Sequence, residues 1–419
     1  MQEALTSNTN RCEEIVEEEY TALDPSSQFV LKVNSRCNLA CNYCYVYEKP
    51  DQSWENQPLH MSDEVLEAAV DRIAEHAEAN KLERVSACFH GGEPLLAPPS
   101  FYERAAQLFY DRVPSSTVVD LSMQTNGVLI RNEYLETFLD HGISVGVSLD
   151  GDRRANDLHR TYRNGNSSYD QAVAGINMLR QERYRGLYAG ILSVVDYQSD
   201  PLTVYESLKA LEPPVIDLLL PHGNWVTPPP GIPHLRDVPY DDRPTPYADW
   251  LLPIFDRWYK HDQGQVDIRT FRSVIDLLMR KGSSVETIGS GMGDEVTIET
   301  DGSYQLVDTL KSSFAGASQI GMSVREQSIQ EASTIMRDRA QALGMTTLSK
   351  ICQVCPIQKV CEGGYVTHRY GSDGTFTHPS VFTADLLRMV GHIRGATMEE
   401  MVVRRAQEIL VPLFDNESY

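Results

Sequence analysis

The sequence predicts an α/β protein: a partial (β/α)6 TIM-type barrel followed by a small, cysteine-bearing C-terminal domain. Three observations predict it. Strand-like alternation recurs six times between residues 29 and 220, with helix-like periodicity in the gaps. Strands separated by helices of this length form βαβ units and a parallel sheet. Polar, glycine-bearing motifs follow several of these strands, where such sheets place their active sites. Six of the eight cysteines fall in two tight triplets more than 300 residues apart.

The elements follow in order. Residues 1–25 form an acidic N-terminal arm, in which Glu13, Glu14, Glu17, Glu18 and Glu19 make a solvated face and Cys12 is idle. The barrel occupies 26–222, with strands expected at 29–33, 85–90, 118–124, 143–149, 188–194 and 215–220. Ser62 caps a helix whose Val65, Leu66, Ala69, Ile73 and Ala77 share one face. Further helices are expected at 102–112, 132–140, 169–181 and 201–211. Cys88, Phe89, Thr125 and Leu149 read as barrel packing. Residues 223–345 form a linking region. It opens on a proline-rich surface excursion with Pro228, Pro229 and Pro230. Helices at 247–261 and 270–281 follow, then a hairpin of 296–300 and 304–307 about Asp301-Gly302-Ser303. The second cysteine triplet sits in a loop-rich domain, 346–385. A terminal helix, 386–419, carries Met389, Met398 and Met401 as packing residues.

The chain has 419 residues, enough for two or three domains. Lys plus Arg is 37 against 59 for Asp plus Glu, a net charge of −22. Nucleic acid and anionic membranes call for a basic surface, so neither is expected as a partner. No apolar run approaches the roughly 20 residues of a spanning helix. The first ten residues have neither a basic nor an apolar signal region, so the expected location is cytoplasmic. In a reducing compartment, clustered thiols are metal or cluster ligands more often than disulfides.

The first triplet, Cys37-Asn-Leu-Ala-Cys41-Asn-Tyr-Cys44, directly follows the first strand. A loop of this length can wrap three thiolates round one face of an iron–sulfur cube and leave the fourth iron open to a ligand. The spacing alone also admits a zinc site lacking a ligand, or three unrelated thiols. The strand ends then supply Gly91-Gly92-Glu93-Pro94, Gln124-Thr125-Asn126-Gly127 and Ser148-Leu149-Asp150-Gly151 in register.

This set, with Tyr43 before the last cysteine, resembles the radical S-adenosylmethionine (SAM) superfamily. The resemblance implies a [4Fe–4S] cluster on Cys37, Cys41 and Cys44, with SAM chelating the open iron. It implies that Gly91, Gly92 and Glu93 meet the SAM amino group. Gln124, Asn126, Ser148 and Asp150 would contact ribose and carboxylate. Arg163 would pair with the carboxylate as a bidentate guanidinium, and Leu192, in Gly190-Ile191-Leu192, would lie along the adenine.

The second triplet, Cys352-Gln-Val-Cys355-Pro-Ile-Gln-Lys-Val-Cys361, resembles a degenerate SPASM domain, the module that holds auxiliary iron–sulfur clusters in peptide-modifying relatives. Strings such as CNLACNYCYVYEKPDQSW, SVGVSLDGDRRANDLHR and IETDGSYQLVDTLK resemble FxsB-type radical SAM/SPASM proteins over about residues 28–395. That resemblance implies a ribosomal precursor peptide as substrate and an electron donor such as flavodoxin or ferredoxin. It also implies a three-residue cyclophane, in which an aromatic ring carbon is joined to a Cβ two positions on. Other radical peptide chemistry would share the first half-reaction: Cβ oxidation of the sulfatase-maturating kind, thioether formation or epimerisation. A bare iron–sulfur carrier would need neither GGEP nor the polar strand ends.

The pattern departs from relatives in three places. A fuller SPASM domain has a cysteine in the strand after the Asp-Gly turn, where this chain reads Tyr304-Gln-Leu-Val307-Asp308 and FxsB-type relatives usually lack it too; Thr383 and Ser349 stand where those relatives have cysteine. Three auxiliary thiolates remain. An auxiliary [4Fe–4S] cluster with an open iron or a non-cysteine fourth ligand, for which His368 and Asp385 are candidates, is the expectation; a lost site or a zinc site are the alternatives. Crosslinking also sheds a proton, and Asp217, His222 and Asp308 are the candidate bases.

Overall fold

The computed structural model describes residues 25–232, 243–289 and 295–415, with side chains to residue 400. The arm at 1–24, with Cys12, and the side chain of Met401 lie outside the described residues, as do 233–242 of the proline-rich excursion.

Six parallel strands form the barrel: β1 (Gln28–Asn34), β2 (Arg84–Gly91), β3 (Val118–Thr125), β4 (Ser144–Ser148), β5 (Tyr188–Val194) and β6 (Val215–Leu219). They pair in chain order. Between them run α1 (Asp63–Asn80), α2 (Pro99–Arg112), α3 (Asn132–His141), the short α4 (Arg153–Asp157), α5 (Tyr169–Leu179) and α6 (Pro201–Lys209). The Ser62 hydroxyl caps α1 by accepting from the Val65 N–H at 3.3 Å. Helix α2 begins three residues before the expected start, because Pro98-Pro99 presets the first turn and lacks only N–H groups that a helix leaves unpaired.

Alternation on the strands divides two environments. On β2, Val85, Ala87 and Phe89 are fully buried under the helices. Ser86, Cys88 and His90 face the barrel interior and line its cavity. Cys88 is therefore a cavity-wall residue and not the core residue that its apolar strand suggested. Phe89, Thr125 and Leu149 pack as expected, each at most 2% exposed.

After β6 come α7 (Pro246–Arg257), β7 (Asp267–Ile268) and α8 (Arg269–Leu278). The single helix expected at 247–261 gives way to a wider π-type turn, Trp258–Asp262, which sets the fully buried Trp258 into the core. The hairpin consists of β8 (Val296–Ile298) and β9 (Ser303–Gln305), extended by β10 (Gln319–Ser323). It joins the barrel sheet, since β8 pairs parallel with β1. One ten-stranded sheet results, β10-β9-β8-β1-β2-β3-β4-β5-β6-β7. The C-terminal part comprises α9 (Ile329–Ala342), α10 (Lys350–Gln353), α11 (Gln358–Cys361) and α12 (Thr383–Asp415). Asp385 ties α12 to α7 by accepting the N–H groups of Tyr247 and Ala248, each at 2.9 Å. Among the described residues no helix is long and apolar enough to cross a membrane.

Candidate active site

The loop after β1 carries Cys37, Cys41 and Cys44, and all three open onto a cavity of about 200 Å³ at the carboxyl ends of the strands. Backbone bonds hold the loop. Ala40 and Asn42 donate to the carbonyls of Thr161 and His159 at 2.8 and 3.3 Å. Burial and then the Glu93 charge push the Cys37 thiol up to about 12. The Cys41 and Cys44 thiols are raised as well, mainly by burial. These thiols stay protonated at neutral pH until a metal displaces the protons. No three His, Cys, Asp or Glu side chains among the described residues are close enough to hold a single metal ion.

Gly91 and Gly92 line the same cavity. Gly91 has φ +137°, and a Cβ there would collide with the Asn34 carbonyl. The close approach is what brings β2 against β1, with the Gly92 N–H donating to Asn34 O at 2.7 Å. Glu93 is placed differently from the expectation. It is fully buried, and its carboxylate accepts from Leu95 N at 2.9 Å, Thr125 Oγ1 at 2.6 Å and Asn126 N at 2.9 Å. Both oxygens are engaged, so the carboxylate clips the end of β3 to the end of β2 beneath the cavity. The neighbouring glycines are the part of the motif that faces inward.

Gln124, Asn126, Ser148 and Leu192 all line the cavity. Gln124 donates to Ser148 Oγ at 2.8 Å, and Asn126 Nδ2 lies 3.8 Å from Cys37 Sγ. Asp150 lies behind this wall, 4% exposed, accepting from Tyr43 at 2.6 Å and from Val194 N at 3.1 Å. Arg163 is exposed on a turn closed by Gly165 N to Tyr162 O. The arginine in the cavity is Arg160, 9% exposed, which donates to the Tyr43 hydroxyl at 2.8 Å. The sequence reading set the arginine one short turn too late. The signal it missed is the segment 159–161, whose carbonyls hold the cysteine loop.

A second cavity of about 520 Å³ runs down the barrel and shares Tyr45, His90, Gln124 and Leu192 with the first. Asp308 stands in its wall between Lys32 and Lys311. The two ammonium groups outweigh burial and hold its carboxyl well below the usual range. Lys311 also pairs with Glu299. Asp217 lines the cavity but is tied to Arg269 at 2.5 Å and accepts from Thr270 at 3.0 Å. His222 borders the cysteine cavity; burial lowers its pKa to about 4, and its Nδ1 has no hydrogen-bond partner. Glu295, which the sequence reading did not single out, also lines the barrel cavity. Burial and the neighbouring Glu286 raise its pKa to about 7.

Residues 31–200 match the family model of the radical SAM superfamily. The serine-type anaerobic sulfatase-maturating enzyme of Bacteroides thetaiotaomicron is 30% identical over 301 residues, 68% of this chain and 69% of that protein. The chain belongs to the radical SAM superfamily. The fold agrees: a structure of anSMEcpe with bound AdoMet and a Kp18Cys peptide superposes with a TM-score of 0.75, at 21% identity, over 90% of this chain and 98% of that one. SuiB of Streptococcus suis bound to its precursor peptide SuiA gives a TM-score of 0.52 at 14% identity, over 86% of this chain and 76% of that one.

As a radical SAM enzyme the protein uses a [4Fe–4S] cluster and SAM, and the donor set fits them. Three thiols of one loop share a cavity with two backbone-exposing glycines, polar amides and a buried guanidinium. The auxiliary triplet is gathered too. Burial, then the Cys352 and Cys355 charges, push the Cys361 thiol up to about 12. Neither expected fourth ligand is directed there. Asp385 caps α7, and His368 packs against Phe382 and His222, with ring centroids 4.7 and 6.2 Å away. His368 lies on a three-residue-per-turn helix, where successive side chains point apart, and the next residue, Arg369, faces the triplet instead. Ser349, at a relatives' cysteine position, caps α10 by accepting from Cys352 N at 3.2 Å.

Proposed function

We propose that this radical SAM enzyme modifies a peptide, abstracting a hydrogen atom from an unactivated Cβ and joining that carbon to a nearby aromatic ring. The observation that carries the reading is the continuity of the cysteine cavity with a 520 Å³ barrel cavity through shared wall residues. A peptide segment in the larger cavity would present its Cβ to the smaller one. Two of the solved neighbours, anSMEcpe and SuiB, have a peptide bound.

When bound, the cluster and SAM supply a 5′-deoxyadenosyl radical, which becomes 5′-deoxyadenosine. The chain's own residues do the rest. Gly91 and Gly92 offer backbone to the SAM amino group, and Arg160, steadied by Tyr43, offers a guanidinium to its carboxylate. Gln124, Asn126 and Ser148 orient the ribose, and Leu192 packs on the adenine. The barrel wall keeps water from the radical. Closing the crosslink releases one proton and one electron besides the abstracted hydrogen. Asp217 is spent on Arg269 and Thr270. Asp308, held ionised, and His222, held neutral with Nδ1 unengaged, are the two candidate proton acceptors left. Cys352, Cys355 and Cys361 would hold an auxiliary cluster, and such a cluster would supply an acceptor for that electron.

A second reading, Cβ oxidation of a serine or cysteine, is favoured by the 30% identity to a serine-type sulfatase-maturating enzyme. Coexpression with a candidate precursor peptide that carries aromatic, serine and cysteine residues separates the two. Crosslinking and serine oxidation both remove two hydrogens; cysteine oxidation removes two to a thioaldehyde, which water converts to the aldehyde with release of hydrogen sulfide. A crosslink blocks fragmentation between the joined residues and gives no carbonyl, whereas oxidation yields an aldehyde that a hydrazide traps. A hydrazide adduct would overturn the crosslink; an unmodified peptide in both assays would overturn both.

A further inference from the structure

Arg369 is a buried charge with no carboxylate partner among the described residues. It is 2% exposed and ranks among the largest fully buried side chains. Nε donates to His378 O at 3.2 Å, Nη1 to Met345 O at 3.0 Å, and Nη2 to Thr347 O. These carbonyls fix the guanidinium but bring no net charge. No carboxylate among the described residues forms an ion pair with it. A buried cation without an anion is costly, and proteins keep one where an anion completes the site. The loop that follows Cys361 runs beside it. Nη1 lies 3.7 Å from where a Cβ on Gly363 would stand, two residues past Cys361. Cys352 and Cys361 are near enough for their thiolate charges to act on it.

We propose that Arg369 is the counter-charge of an anionic iron–sulfur cluster on Cys352, Cys355 and Cys361 and raises that cluster's reduction potential. An oxidised cubane core carries two positive charges and three thiolates carry three negative ones, so with a neutral fourth ligand the site bears one net negative charge. One-electron reduction doubles it. A fixed guanidinium stabilises the reduced form more than the oxidised form, and hydrogen bonding and local charge are what tune such clusters. Within the proposed function, the electron would come from the substrate radical after its proton is lost. The inference shares with that function only the presence of an auxiliary cluster, and its test needs no peptide.

The test is an EPR-monitored redox titration of the full-length, anaerobically reconstituted protein with dithionite as reductant. A background with Cys37, Cys41 and Cys44 all changed to Ala leaves the auxiliary signal alone. Arg369→Met and Arg369→Gln should lower the reduction equilibrium constant at least tenfold, about 59 mV for one electron. Arg369→Lys should retain most of the parental potential, because it keeps the charge. A merely structural role would lower iron content or melting temperature and leave the potential of assembled clusters unmoved; that result overturns the proposal. So does a background protein that binds zinc or no metal at the triplet. If both neutral variants are insoluble, Arg369→His decides. Its cluster potential should fall relative to the parent's as pH rises and the imidazolium loses its charge, and a potential that tracks the parent's at every pH refutes the charge role.

Discussion

The placement of Arg160 and Arg163 makes the sharpest test of the SAM site. Both arginines lie in one stretch of sequence, and only Arg160 enters the cavity. Consider each changed to Met, which keeps an apolar stem and removes the guanidinium. Arg160→Met deletes the 2.8 Å bond to the Tyr43 hydroxyl and a positive charge that favours the ionised form of the buried Asp150. A hydrogen bond to a charged group is worth about 1.5–3 kcal/mol. If that support and the direct contact to the SAM carboxylate are lost together, SAM affinity falls by roughly ten- to a hundredfold, at about 1.4 kcal/mol per tenfold. Arg163→Met removes an exposed side chain and should change affinity less than twofold. The assay is equilibrium binding of SAM to the reconstituted enzyme, with iron content measured in parallel so that cluster loss is not mistaken for ligand loss. Equal losses in the two variants, or a loss confined to Arg163→Met, would refute the placement.

Three further outcomes follow from the geometry. Glu93→Gln sets an amide NH2 against the Asn126 N–H and breaks a charged buried clip, so the enzyme should lose about 3 kcal/mol of stability as well as SAM affinity; unchanged urea unfolding would show that the clip carries nothing. Glu295, with a folded pKa raised to about 7 from an ordinary 4.5, stabilises the fold at pH 4.5 and below and ceases to do so as pH rises through 7. The loss is on the order of 3 kcal/mol, so Glu295→Gln should flatten the fall in melting temperature between pH 4.5 and 7, and an unaltered slope would exclude this carboxyl. Cys352→Ala with Cys355→Ala should leave SAM cleavage largely intact while stopping release of modified peptide; full product from a folded double variant would send the electron by another route.

Much of the barrel was legible because its signals are local. Six strands and their helices follow from period-2 and period-3.6 patterning. The cysteine loop, the Gly91-Gly92 approach and the Gln124 and Ser148 strand ends are contiguous motifs whose position in a βα unit fixes their direction. What escaped depends on contacts across the chain. Arg160 rather than Arg163 enters the cavity because the cysteine-loop backbone pairs with residues 159–161. Glu93 turns away from the cavity because Thr125 and Asn126, 32 and 33 residues away, offer it donors. Cys88 reads as core because an apolar strand does not announce whether its interior face meets packing or a cavity. His368 and Asp385 suited a ligand's chemistry, but helix phase and the α7 amide groups had already claimed their directions. Arg369 carried no motif at all; its meaning lies in the thiols and carbonyls that surround it.

The central claim is that this cavity directs a SAM-derived radical at a peptide. The most direct measurement uses the precursor peptide made from fully deuterated amino acids and incubated with enzyme, SAM and reductant. The account predicts that mass spectrometry finds singly deuterated 5′-deoxyadenosine in step with modified peptide, and that Cys41→Ala abolishes both. Modified peptide accompanied only by unlabelled 5′-deoxyadenosine, or undiminished SAM cleavage by Cys41→Ala, would contradict it.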